Sequence, residues 1–334
     1  MNKSVYLSSK PRYEILDGLR GVAAVLVVAY HILENYFGLG AAHPLNHGYL
    51  TVDFFFILSG FVIGYAYDDR WDRMSVWAFF KRRLVRLHPM VMFGTFFGTL
   101  MLYFQECPEF PNVATAEWWV VLLAAVCGVF TVLLCLQVDV FGFLATRAEV
   151  MRHTVIGGWG LSAEHLQVGL TRLLTPFLCG LLLSRLGCRV RLRGGFWWCS
   201  LALAVLTAVP RLGGGGAPWL NGLFDAAAIL VVFPLIVAAG AGSSVDGSRS
   251  TAVCRIIGEL SYPLYLTHYP YAMLHKQWIA NHPGAPASTH AFVSVCVFAM
   301  ALMTAYATSR LYDQPVRRWL RSRLYSRQEG GAGL

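Results

Sequence analysis

Charge is scarce in this chain. Of 334 residues only 13% are Asp, Glu, Lys or Arg, about half the share that soluble domains carry. So thin a charge cover does not solvate a globular surface, and the same composition excludes disordered, collagen-like and secreted disulfide-framework chains. Soluble-enzyme signatures are missing too: no glycine-rich nucleotide loop, no zinc-ligand spacing and no Ser-His-Asp order stands out. Of the eight cysteines, Cys127, Cys135, Cys179, Cys199 and Cys296 lie inside apolar runs. With no metal spacing and no extracellular pairing pattern, they read as small core residues.

Apolar length is what the chain has in abundance. Hydrophobic residues make up 56% of it, and 32 Gly and 10 Trp suit helices that pack closely in lipid with aromatic anchors at the interface. Stretches near the roughly 20 residues that a bilayer requires occur at 19–37, 50–67, 88–104, 118–136, 173–187, 196–210, 220–241, 256–275 and 290–309. They predict an all-α fold, a polytopic transmembrane helical bundle of about nine spans. The first is not a cleaved signal, since further spans follow it and no small-residue cleavage site does.

The net charge of +9 is topological, because Lys and Arg flank the spans and are retained on the cytoplasmic side of short loops. Lys3, Lys10, Arg12 and Arg20, then Arg70, Arg73, Lys81, Arg82, Arg83 and Arg86, place two connections in the cytoplasm. Arg185, Arg189, Arg191 and Arg193, Arg249 and Arg255, and the tail from Arg310 to Arg327 follow suit. The loops at 38–49 and 105–117 hold no Lys or Arg and face outward. The expected organisation is a cytoplasmic segment 1–18, a single transmembrane domain 19–312 and a basic cytoplasmic tail 313–334.

One difficulty follows: Arg86 and Arg185 both belong in the cytoplasm, yet three apolar spans lie between them. The polar stretch 137–171 supplies no obvious helix. The expectation is therefore nine full spans, with 137–171 outside the hydrocarbon core as a loop or surface helix.

Arg20 and His31 are the most informative residues. Eleven helical steps of about 100° bring both to one face, roughly 16 Å apart along the axis. Ionisable groups inside a membrane are costly and mark function by default, although an anchoring Arg and a packed His account for the pair equally simply. Glu34 and Asp53 are candidates to orient His31, and Arg20 can also pair with Asp17, three residues away. Asp53 can equally be a polar residue at a helix end. Arg82, Arg83 and Arg86 suit phosphate recognition by guanidinium forks and serve as a positive-inside anchor at the same time. His268 lies in an apolar span beside Tyr265, where packing explains it as well as function does.

The stretch Ile15-Leu16-Asp17-Gly18-Leu19-Arg20-Gly21 running to His31 resembles the first helix of the bacterial acyltransferase 3 membrane proteins, whose hallmark is Arg, ten residues, His. Val52-Asp53-Phe54-Phe55-Phe56-Ile57-Leu58-Ser59-Gly60-Phe61 is similar to the family's aromatic Ser-Gly-Phe segment, and Arg83 with Arg86 to its basic Arg-x-x-Arg connection. Thr171-Arg172 through Gly180 looks like a later helix entry, Gly258 through His268 like the penultimate helix, and Tyr312 through Arg317 like the exit from the last. Relatives carry a further helix after the fourth span, opened by a Trp-Ser-Leu-x-x-Glu-like stretch. Trp159 to Glu164 resembles it only superficially, because Gly157-Gly158 and Arg172 suggest the later loop, and the helix is expected to be absent.

The resemblance implies transfer of an acetyl, or sometimes succinyl, group from cytoplasmic acyl-coenzyme A to a hydroxyl of a cell-surface carbohydrate or glycoconjugate, in the bacterial cytoplasmic membrane and without a metal. On that reading His31 is general base or transient nucleophile, with Arg20 and Asp53 in the catalytic set. Arg82, Arg83, Arg86 and Ser59 hold the coenzyme, and Glu34, Tyr265 and His268 lie on the acceptor side. Nucleic acid is no partner. Two other classes share the intramembrane charges: a transporter of a small anionic solute, which inverted repeats would favour, and a non-catalytic member lacking one helix.

Overall fold

The structure, a computed structural model, describes residues 12–39, 42–105, 163–213, 217, 219–245 and 247–325. Among them every regular element is a helix. The chain runs through α1 (Glu14–Phe37), α2 (Thr51–Tyr67), α3 (Val76–Gln105), α4 (Ala163–Leu186) and α5 (Gly195–Ala208). Then α6 (Trp219–Ala227) passes through a π turn (Ala228–Val232) into α7 (Phe233–Gly242). Next α8 (Ser248–Thr267) meets α9 (Tyr269–Asn281) at His268, and α10 (Ala287–Thr308) passes through a second π turn (Ser309–Asp313) into α11 (Gln314–Tyr325). Five of these runs, α1, α2, α3, α6–α7 and α10–α11, are long and apolar enough to cross a membrane.

Proline explains both π turns. Pro234 and Pro315 each follow a π turn closely. A proline inside a helix offers no N–H and presses its ring on the carbonyl four residues back. Widening the helix by one residue relieves that clash without ending the run.

Close backbone approach sets the helix pairing. A Cβ on Gly60 would collide with the Phe177 carbonyl, and one on Gly180 with the Ile57 carbonyl, so α2 and α4 touch through reciprocal glycines. Across α1 and α8, a Cβ on Gly258 would stand 2.8 Å from the Asp17 carbonyl oxygen. Lipid offers helices no hydrophobic drive to associate, and small residues that admit such contact supply packing in its place. Buried Phe54, Leu19, Leu203 and Phe233 fill the centre, and a second cluster of Ala24, Val28, Leu264 and Ala301 joins α1 to α8 and α10.

Paired contacts fix the directions. Asp53 meets Arg172 and Asp68 meets Arg185, so α2 and α4 run parallel. Asp17 and Ser261 gather round Arg20 while Asn35 reaches Ala272, so α1 and α8–α9 run parallel too. Arg20, Arg86, Arg185, Arg310 and Arg317 collect at one end of the bundle. His31, Asp53, Asp225 and His275 lie toward the other. We call these the basic end and the far end.

Most expected spans recur as helices, with revised limits. The basic stretch from Lys81 to Arg86 is not a connection but part of the first turns of α3. Arg172 does not open a helix: α4 begins at Ala163, and residues 163–171 continue the span beyond the level of Asp53. The expected span 118–136, the rest of 137–171 and the Trp159 stretch up to Ser162 lie outside the described residues. Against the expected nine spans, five runs among the described residues are long and apolar enough to cross. Because α4 runs parallel to α2, α3 leaves and α4 enters at the far end, while α1 starts and α11 lies at the basic end.

Candidate functional site

At the basic end Arg20 is clamped rather than free. Its Nε–H donates to Ser261 Oγ at 2.8 Å, its Nη2 donates to the Gly258 carbonyl at 3.2 Å, and it pairs with Asp17 at 3.0 Å. The Asp17 pairing is the three-residue contact expected from the sequence. It also sets a carboxylate in the first turn of α1, where the helix dipole favours negative charge.

Arg86 stands within electrostatic reach of Arg20, Arg83, Arg317 and Asp17. Arg82 and Arg86 are exposed on α3. Arg83 is half-buried, its guanidinium 5.6 Å from the Tyr67 ring centroid and 5.8 Å from that of Phe79, and its Nε has no hydrogen-bond partner among the described residues. Arg317, on α11, donates to buried Asp313 beside the second π turn. The basic end thus gathers cations from α1, α3 and α11. Sequence reasoning placed Arg317 in the basic tail and in the family-like exit from the last helix, and nothing in its spacing shows that it comes near Arg86. Ser59 is exposed on α2.

On the same face of α1, His31 sits at the far end. Its Nδ1 lies 3.1 Å from Glu34 Oε2, one helical turn on. An ionised carboxylate only accepts, so Nδ1 carries the proton and Nε2 presents a lone pair. The ring stacks on His268 at 5.5 Å with 24° between planes, and the edges of Tyr269 and Tyr30 close round it at 5.7 and 5.3 Å. Tyr265 packs beside His268 at 5.9 Å and against Phe55 at 5.3 Å.

His268 occupies the junction of α8 and α9. Its Nδ1 faces the Tyr265 carbonyl at 2.8 Å and the Leu264 carbonyl at 3.2 Å, while its buried Nε2 has no partner among the described residues. In the loop between α1 and α2, His43 accepts the Leu45 N–H at Nδ1 and turns Nε2 to the Tyr30 carbonyl at 3.3 Å. Burial pushes its pKa down, which keeps the ring neutral against Tyr30.

Asp53 is not the group that orients His31. Its carboxylate takes three contacts from Arg172, two from Nε at 3.2 Å and one from Nη2 at 2.7 Å, and Arg172 Nη2 also donates to the Tyr49 carbonyl at 2.7 Å. The two side chains are 0% and 6% exposed. The guanidinium fork engages both carboxylate oxygens. Nearby, Tyr49 Oη donates to Asp225 at 2.9 Å, and His47 Nδ1 lies 3.3 Å from the same carboxylate. Sequence reasoning missed both networks. A lone Asp in one apolar run and a lone Arg in another are the signal that would have found the first. Nothing in the spacing marks the second, whose partners stand 178 residues apart.

A helical bundle in lipid, with a carboxylate-supported imidazole at one end of a polar helix face and arginines at the other, defines a polytopic membrane protein built round an internal histidine centre. The chain belongs to the acyltransferase 3 family, whose profile, described as an acyltransferase domain, matches residues 13–308. Among curated proteins it is similar to protein 2 in the picA locus of Rhizobium radiobacter, 41% identical over 85 residues, which covers 25% of this chain and 42% of that protein. It is also similar to acyltransferase MdmB of Streptomyces mycarofaciens, 32% identical over 107 residues, 30% of this chain and 27% of that one. Similarity to O-acetyltransferase OatA of Staphylococcus aureus is 37% over 87 residues, 25% of this chain and 13% of that protein. The chain thus spans less than half the length of these relatives. No solved structure matches it.

Proposed function

We infer that this protein is a membrane O-acyltransferase that moves an acetyl or succinyl group from acyl-coenzyme A at the cytoplasmic face to a hydroxyl of a cell-surface carbohydrate or glycoconjugate. The observation that carries the reading is the His31–Glu34 dyad, set on the same face of α1 as Arg20. Family membership supports acyl transfer, and the O-acetyltransferase name of one relative supports acetyl and oxygen as the group and the acceptor atom.

The basic end is the cytoplasmic end by the retention of Lys and Arg there. Arg82, Arg83 and Arg86 take the coenzyme phosphates, to which guanidinium groups donate paired hydrogen bonds. Arg20, already bound to Ser261 and Asp17, positions the entry between α1 and α8. Ser59 lies on the donor side of α2. An acyl-pantetheine arm directed along this helix face carries its thioester toward His31, about 16 Å further along the axis.

There Glu34 holds Nδ1–H, leaving Nε2 to take the proton of the acceptor hydroxyl or to receive the acyl group. The exposed edges of Tyr265 and Tyr269 border the acceptor side, together with His268. Asp53 serves the reaction only by fixing Arg172 and thereby the α2–α4 pair. The direct test is thiol release from acetyl-coenzyme A by the purified full chain in detergent. The wild type should release coenzyme A and the His31→Ala variant should not, and equal release by both would refute the assignment.

A further inference from the structure

Two imidazoles, not one, face each other at the far end. His31 is held as the Nδ1–H tautomer by Glu34, and His268 is held as the same tautomer by two backbone carbonyls. Carbonyl oxygens only accept, so the His268 proton sits on Nδ1 and its Nε2 is a bare acceptor. That atom is buried without a partner among the described residues, in a residue only 5% exposed. A buried acceptor with no donor is destabilising unless something supplies the donor. A hydroxyl brought beside His31 is such a donor.

We propose that the two histidines divide the reaction: His31 Nε2 receives the acyl group, and His268 Nε2 takes the proton of the acceptor hydroxyl. This rests on the acyl-coenzyme A reading given above. In the first half-reaction the His31 Nε2 lone pair adds to the thioester carbonyl carbon, the C–S bond breaks, and coenzyme A leaves as thiolate. The acylated ring is cationic, and the Glu34 carboxylate at its Nδ1–H stabilises it. In the second, the acceptor oxygen adds to the acyl carbon while its proton passes to His268 Nε2. The C–N bond breaks and the electron pair returns to His31. His268 then releases its proton to solvent, which protonates the thiolate.

The stacking favours this order. With ring centroids 5.5 Å apart, two cationic imidazoles repel, and in the divided mechanism only one is cationic at a time. Charge leaves His31 in the same step that brings it to His268.

The experiment uses the purified full chain with three probes: labelled free coenzyme A, water and hydroxylamine. Without any acceptor, the wild type should exchange label between coenzyme A and acetyl-coenzyme A, which requires an acyl-enzyme. His268→Asn keeps an amide N–H for the two carbonyls but has no base. It should retain exchange and the acetylation of hydroxylamine, which attacks without a base, while hydrolysis falls by about 10²-fold or more. His31→Asn should lose all three. If the Asn variant does not fold, His268→Gln takes its place. Two results overturn the division: hydrolysis by the wild type without exchange, or a variant at position 268 that hydrolyses at the wild-type rate. Absence of both hydrolysis and exchange in the wild type refutes the donor assignment itself, and the division with it.

Discussion

Replacing Asp53 by Asn removes one charge from a pair that the structure seals completely. The carboxylate is 0% exposed and its arginine 6%, so Arg172 loses this carboxylate while its charge stays buried. Three contacts to Asp53 are lost or weakened, while the one to the Tyr49 carbonyl survives. Breaking one side of a buried pair costs about 3–5 kcal/mol, which is of the order of a third of the total stability of an ordinary domain. Arg172→Gln should cost a similar amount. Asp53→Leu with Arg172→Met removes both charges of this pair, and a hydrophobic replacement of similar volume runs from neutral to stabilising. The double variant should therefore be more stable than either single one, with a coupling energy of about 3 kcal/mol or more. Equilibrium unfolding of the four proteins in mixed micelles, at one lipid-to-detergent ratio, measures it. Single variants that each cost less than about 1 kcal/mol, or effects that simply add, would show that water reaches the pair and that the reasoning is wrong.

Other outcomes follow from the same geometry. His31→Ala should abolish acyl transfer while membrane insertion, read by protease protection, is unchanged. Glu34→Gln should lower turnover within the roughly 10²–10⁴-fold that positioned proton transfer contributes, because an amide can hold the wrong tautomer of His31; unchanged turnover would remove Glu34 from the mechanism. Arg83→Gln with Arg86→Gln should raise the acetyl-coenzyme A concentration needed for half-maximal rate, each lost charge-assisted contact costing about 1.5–3 kcal/mol; an unchanged requirement would leave these residues only a topological role. Gly180→Leu should separate α2 from α4 and lower the unfolding midpoint, since even a Cβ collides with the Ile57 carbonyl, and a midpoint like that of the wild type would mean the helices are not packed through glycine.

The parts of this fold that were legible in the sequence are those written in local spacing. The apolar runs announced the helices, and eleven residues between Arg20 and His31 placed both on the face that α8 and α9 cover. Glu34 was one of two candidates to hold His31, and its three-residue spacing is what the helix rewards. Asp53, the other, was drawn off by Arg172, a residue 119 positions away whose approach depends on Gly60 and Gly180 rather than on any local pattern. The start of α4 was misplaced for a related reason: polar residues at its far end mimic a loop, and only the Asp53 partner shows that Arg172 belongs inside a helix. Helix direction was the least legible property, since charge counting gives sides but does not reveal which helices run parallel.

The parallel pairing of α2 and α4 has a consequence for how the protein is made. A hairpin partner follows its neighbour out of the ribosome almost at once, but Asp53 must wait for an arginine 119 residues downstream. At a synthesis rate of about 5–20 residues per second, that is roughly 6–24 s. During this interval α2 stands in the bilayer with a carboxyl group that costs up to about 3 kcal/mol to hold there unpaired. The aromatic and aliphatic run from Phe54 to Phe61 has to keep the helix inserted alone. α4, which carries the missing guanidinium, in turn has a partner waiting when it arrives. The first helices of this protein are thus obliged to be self-sufficient, whereas a later one is free to carry a charge that only an existing bundle makes tolerable.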